Sequence, residues 1–126
     1  MSTNALEPAG LTVLVICADR TFLRFAKATL RSGGHTAFAT RTHVADAAVQ
    51  VRLRAPDVVL LDVDHADADA VRRVLGRTPV VEISADPQAT ATRAIGKWAV
   101  PSEIVTAVEA AASAGRRRSR LHIVAS

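Results

Sequence analysis

Pro56-Asp57-Val58-Val59-Leu60-Leu61-Asp62-Val63-Asp64 sets four consecutive aliphatic residues in front of a carboxylate. The run shows no alternation of apolar and polar positions, so both faces of the strand it forms are covered. That is the condition of a parallel strand whose sheet carries helices on each side. Pro56 cannot continue a helix and so marks off the strand from whatever precedes it. Asp62 is delivered to the carboxyl end of the strand, where open α/β sheets place ligands and chemistry.

Before this stretch, residues 1–10, with Pro8 and Gly10, form a flexible lead. Leu11 to Ile16 is an apolar, β-branched first strand with Cys17, Ala18 and Asp19 at its tip. From Thr21 to Arg31 the residues Phe22, Leu23, Phe25, Ala26 and Leu30 recur at helical spacing, and Gly33-Gly34 stops that helix. His35 to Thr40 is a short second strand. Thr42 is the expected N-cap of a helix running through Arg54, with Val44, Ala47, Ala48, Val51 and Leu53 on or beside its inner stripe.

After Asp62 come an acidic turn over Asp64 to Asp67, a short helix over Ala68 to Leu75, and a fourth strand over Pro79 to Ser84. Asp86 to Arg93 has room for two helical turns at most. Ala94 to Ala99 is the weakest strand, diluted by Gly96 and Lys97. Pro101 and Ser102 open the last helix, with Ser102 as its expected cap and Glu103 near its positive end. Ile104, Val105, Val108, Ala111 and Ala112 form its apolar face, and Gly115 is expected to end it. Strand and helix thus alternate five times. The order implies an α/β, flavodoxin-like, doubly wound sheet of five parallel strands in the order 2-1-3-4-5, with right-handed crossovers and shortened third and fourth helices. The domain spans 11–115, and 116–126 is a basic C-terminal tail.

A chain of 126 residues, 49% hydrophobic and 22% charged, can bury a core without metal or disulfide staples. The single Cys17 excludes an intrachain disulfide and a cysteine-based zinc site. No apolar run approaches the length of a membrane span and no basic-then-apolar leader opens the chain, so the expectation is a cytoplasmic protein without membrane insertion. The net charge of +4 resides in Arg116, Arg117, Arg118 and Arg120; without them, twelve basic and twelve acidic side chains balance. The basic character belongs to the tail and not to a face. With no stacking aromatics or reading helix beside it, nucleic-acid binding is not the expected function.

These residues resemble those of the receiver domain of two-component response regulators, over Leu11 to Ala114. Asp62, closing Pro-Asp-Val-Val-Leu-Leu-Asp, falls on the phosphoacceptor position. Ser84, in Ile-Ser-Ala, falls on the hydroxyl that contacts the phosphoryl group, and Lys97 on the lysine that pairs with the aspartyl phosphate. Such a site needs a lysine, a hydroxyl and a divalent cation to neutralise charge on the phosphoryl oxygens. The resemblance implies an acidic pair for that cation after the first strand, but Cys17 and Ala18 stand there instead. Asp19, one step beyond, and Asp62 itself are the weak remaining metal-ligand candidates, with Asp64 as a further carboxylate. A thiol is a poor ligand for Mg²⁺ and alanine is none.

Ala94 stands where the resemblance implies an aromatic switch residue, and Trp98 replaces the proline after the lysine. The segments from Asp62 to Ser84 and from Ser84 to Lys97 are shorter than in the family. The expected function is therefore an atypical stand-alone receiver, a pseudo-receiver that signals by protein–protein contact. It is not expected to be an enzyme or to hold a cofactor. Its partner would be a kinase, a regulator or a second copy of itself, as in a homodimer. The alternatives are a genuine phosphoacceptor, phosphorylated on Asp62 by a histidine kinase with Mg²⁺, and a small module binding nucleic acid through the arginine tail. Trp98, with Ala94, marks the candidate interface. Glu82 is expected to be partly exposed beneath a reduced helix. His35, His43, His65 and His122 lack ligand spacing and are expected at the surface.

Overall fold

The computed structural model describes residues 10–40, 43–64, 67–89 and 94–125, without the side chains of 89 and 117–125. In chain order the elements are β1 (Thr12–Ile16), α1 (Arg20–Ser32), β2 (Thr36–Thr40), α2 (Val44–Arg54), β3 (Val58–Asp62), α3 (Ala68–Leu75), β4 (Val80–Ser84), β5 (Ile95–Gly96) and α4 (Pro101–Ala125). All strand pairs are parallel and the order is β2-β1-β3-β4-β5, the doubly wound topology expected from the sequence. Among the described residues no helix is long and apolar enough to cross a membrane.

The unbroken apolar run of β3 makes this strand the middle of the molecule. All five of its residues are buried, and alternate side chains enter different cores. Val58 and Leu60 join Val13, Val15 and Ile83 under α1 and α4, where Phe22, Leu30, Ile104 and Val108 complete the packing. Val59 and Leu61 join Leu14 and Ile16 on the opposite face, under Ala47 of α2 and Val71 and Leu75 of α3. Each fully buried aliphatic side chain of this kind contributes about 1.5–3 kcal/mol.

Helix ends follow local chemistry. Asp19 caps α1 by accepting from the backbone N–H groups of Thr21 and Phe22. Gly33 closes the helix, and Gly34, at φ 88°, makes the left-handed turn into β2 that a side chain would strain. His43 occupies the cap position of α2 without a side-chain bond; Thr42, the expected cap, lies outside the described residues. Ser102 does not cap α4: the helix begins at Pro101, whose fixed φ and missing N–H suit a first helical position.

Two connections are short, as expected. A helix of eight residues joins β3 to β4, and a 3-10 turn at Pro87–Ala89 is the helical structure described between β4 and β5. The fifth strand keeps only Ile95 and Gly96 of the expected span. At the chain's end the structure differs from expectation: Gly115 does not terminate α4, which continues to Ala125, so 116–125 extend a helix. An isolated glycine costs a helix only about 1 kcal/mol relative to alanine and does not by itself stop it. Here it has a packing role, because a Cβ built on Gly115 would fall into the ring of Pro79.

Candidate functional site

Strand register brings the sequence-selected residues to one edge. Ile16 lies opposite Leu61, Asp62 opposite Ile83, and Ser84 opposite Gly96, so Cys17, Asp62, Ser84 and Lys97 emerge together at the carboxyl ends of β1, β3, β4 and β5. The backbone N–H of Lys97 donates to the Ser84 carbonyl at 2.7 Å, which fixes where the lysine leaves the sheet.

Asp62 is nearly buried, with a side chain 7% exposed. Lys97 Nζ donates to its Oδ2 at 2.9 Å, and the Cys17 thiol donates to the same oxygen at 3.2 Å. The other oxygen, Oδ1, accepts from the backbone N–H of Asp64 at 2.9 Å, closing a tight turn after β3. Burial lowers the affinity of Lys97 for its proton, but the hydrogen bond and charge of Asp62, with the neighbouring Cys17 and Asp64, outweigh it and raise the ammonium's pKa. Burial pushes the Cys17 thiol up to about 11; the backbone N–H of Asp19 opposes this, and the Asp62 carboxylate reinforces it. Cys17 is therefore a hydrogen-bond donor at neutral pH and not a thiolate.

Ser84 does not face Asp62. Its hydroxyl donates to Asp64 Oδ1 at 2.6 Å and accepts from the backbone N–H of Asp86 at 3.1 Å. The Ala85 N–H donates to Asp64 Oδ2 at 2.8 Å, and Lys97 Nζ lies 3.6 Å from that oxygen. Although partial burial disfavours its charge, the Ala85 and Ser84 hydrogen bonds and the charge of Lys97 hold the Asp64 carboxyl below its usual range.

The fold family implies a divalent cation here, and the donors do not fit one. Mg²⁺ takes oxygen ligands, usually carboxylates and water. At the acidic-pair positions the chain presents a thiol that donates to Asp62 and an exposed alanine. Asp19 is turned to its own helix, with Oδ1 engaged by two backbone N–H groups. Asp62 already has the Lys97 ammonium on the oxygen nearest Cys17. A shallow cavity of about 430 Å³ opens beside Cys17, toward Arg20, Thr40 and His43.

Trp98 is 57% exposed and packs on α1, edge-on to Phe22 with ring centroids 5.8 Å apart and tilted against Phe25 at 6.1 Å. Val100 beside it is 60% exposed, while Ala94 is half-buried. Arg116 is exposed; the side chains of Arg117, Arg118 and Arg120 lie outside those described.

Three pairings escaped the sequence. Asp64 was visible only as a spare carboxylate, although its place two residues after Asp62 is the spacing of a side-chain-closed turn. Glu82, half-buried in β4, is held by Arg72 of α3 through two nitrogens at 2.7 and 2.8 Å, and Arg72 also contacts Asp69. His35 is a correction: it is buried, not at the surface. Its Nδ1 accepts from the Leu11 N–H at 3.1 Å and its Nε2–H donates to Glu109 of α4 at 2.8 Å, so both ring nitrogens are satisfied inside. His43 is exposed as expected, whereas His65 and the His122 side chain are outside the described set.

No family model matches the sequence, and no curated protein matches it. Among solved structures, the chain is similar to the receiver domain of the Erythrobacter litoralis response regulator PhyR, at 27% identity over 82% of this chain and 90% of that one, with a TM-score of 0.67. PhyR from Brucella abortus matches at 22% identity and a TM-score of 0.73, covering 98% of this chain and 57% of that one. NtrX from the same organism matches at 19% identity and a TM-score of 0.74, covering 91% of this chain and 29% of that one. The protein thus has the fold of a response-regulator receiver domain. It spans little more than half of the longer PhyR chain and under a third of NtrX.

Proposed function

We propose that this protein is a pseudo-receiver, a signalling module that works by contact with a protein partner and not by Mg²⁺-dependent phosphorylation of Asp62. The observation that carries this reading is the environment of one oxygen, Asp62 Oδ2, held between the Lys97 ammonium and the Cys17 thiol. In this reading the lysine supplies, within the chain, positive charge of the kind a cation would bring to the aspartate, and Cys17 and Ala18 take the two positions whose carboxylates would recruit one. The PhyR of Bartonella quintana, to which the chain is also similar, is described as an anti-anti-sigma factor, and regulation by protein contact is the kind of output proposed here. The exposed Trp98 and Val100, adjoining Lys97, are the surface offered to a partner.

Incubation with acetyl phosphate and Mg²⁺, followed by intact mass measurement, tests the reading. The expected result is an unmodified chain. A gain of one phosphoryl group that Asp62→Asn abolishes would instead make Asp62 a working phosphoacceptor.

A further inference from the structure

Beside the buried Asp62–Lys97 pair lies a second arrangement in which three donors converge on one anion. The Ser84 hydroxyl, the Ala85 backbone N–H and the Lys97 ammonium come from β4, the turn after it and the end of β5, and all three point at the carboxylate of Asp64. The donors are held independently of that carboxylate. The Asp86 N–H donates to Ser84 Oγ, which directs the hydroxyl's own proton outward. Ala85 follows directly on β4, and Lys97 is tied to β4 through its backbone bond to Ser84. Convergent hydroxyl, amide and ammonium donors make a cradle for an oxyanion, whether a carboxylate or a tetrahedral phosphate.

We propose that Ser84, Ala85 and Lys97 form an oxyanion site that the chain fills with its own Asp64, which thereby acts as a permanent internal substitute for a bound phosphoryl group. The proposal rests on the pseudo-receiver reading and deepens it: in the resting chain the cradle already holds an anion of the chain's own. The turn from Asp62 to Asp64, closed by the Asp64 N–H on Asp62 Oδ1, sets the reach. It places the second carboxylate beside β4 while the first remains under Lys97. An external anion would meet both the steric bulk and the negative charge of Asp64. Removing that side chain leaves the three donors without their acceptor and gives a site with the chemistry to hold inorganic phosphate.

Inorganic phosphate, titrated without Mg²⁺ into wild type and Asp64→Ala and followed by amide NMR, is the test. In wild type the Ala85 amide should not respond beyond the general effect of ionic strength. In Asp64→Ala the Ser84 and Ala85 amides and the Lys97 ammonium should shift saturably, and Ser84→Ala in that background should weaken the response. A well-folded Asp64→Ala without a saturable response overturns the proposal, and so does a wild type that responds equally. Should Asp64→Ala not fold, Asp64→Gly and Asp64→Ser replace it under the same phosphate titration, and a folded variant whose Ala85 amide shows no saturable response sinks the idea. The two readings fail separately. Phosphorylation of Asp62 in wild type, with a cradle that responds in Asp64→Ala alone, removes the Mg²⁺-free reading and leaves Asp64 as occupant. An unreactive Asp62 with a silent cradle does the reverse.

Discussion

The two ends of the sheet handle polar groups in opposite ways. At the amino ends, donors and acceptors meet in matched sets. Thr12 and Asp57 clamp β1 to the start of β3, with the Thr12 N–H on the Asp57 carboxylate and the Asp57 N–H on the Thr12 carbonyl, both at 2.8 Å. His35 satisfies the Leu11 amide and Glu109 at once, and Gly115 admits the ring of Pro79. At the carboxyl ends, two carboxylates two residues apart share one lysine, with a thiol and a hydroxyl completing their hydrogen bonds. The first end joins strands and helices in one-to-one pairs. The second gathers two carboxylates around the ammonium of Lys97.

That contrast can be broken experimentally, and its strongest form concerns charge. Lys97→Met leaves Asp62 buried without its cation and should cost about 4 kcal/mol in urea unfolding, the scale of a broken buried pair. A loss below about 1 kcal/mol would mean that the lysine does not hold this end together. At the other end, His35→Ala should cost about 3 kcal/mol, since it opens a cavity and strands the buried Leu11 N–H. Its Asp62, Ser84 and Lys97 NMR signals should stay in place, because the two ends are separate networks.

Gly115→Ala tests the close approach of α4. Overpacking against Pro79 costs about 1–3 kcal/mol, while the gain in helix propensity returns about 1 kcal/mol, so a net loss of about 1 kcal/mol in thermal unfolding is expected. A stabilised variant would show that Gly115 is merely tolerated. The smallest effect is expected for Asp62→Asn. An amide oxygen can still accept from Lys97 and Cys17, Lys97 keeps Asp64 as a counter-charge, and the loss of one of two crowded charges offsets the Asp64 N–H left facing the amide NH2, so stability should stay within about 1 kcal/mol of wild type. A large loss there would put the carboxyl end in the same matched regime as the amino end.

Much of this contrast was open to reading along the chain, and the part that was not has a common cause. The aliphatic run of β3, the periodicity of α1 and the alternation of strand and helix are local patterns, and they led to the observed topology. The place of α3 was legible, and Gly96 and Lys97 marked β5, expected over Ala94 to Ala99, as the weakest strand, of which Ile95 and Gly96 form. Gly115 misled because a glycine that stops a helix and one that admits a neighbouring ring look alike until the neighbour is known. His35 misled in the same way: nothing near it in sequence shows that the Leu11 amide and Glu109, 24 and 74 residues distant, meet on its two nitrogens.

The amino-acid sequence by itself determined that this is a doubly wound parallel sheet with Asp62, Ser84 and Lys97 at its carboxyl edge, and that Cys17 and Ala18 stand where that edge would otherwise be acidic. These are properties of strand ends, and hydrophobic periodicity locates strand ends. Only the tertiary structure decided which group each of them touches. Lys97 and Cys17 converge on one oxygen of Asp62, while Ser84 turns to Asp64. Which contacts form depends on crossings between strands to within about 1 Å, and hydrogen bonds discriminate at that scale where sequence patterns do not.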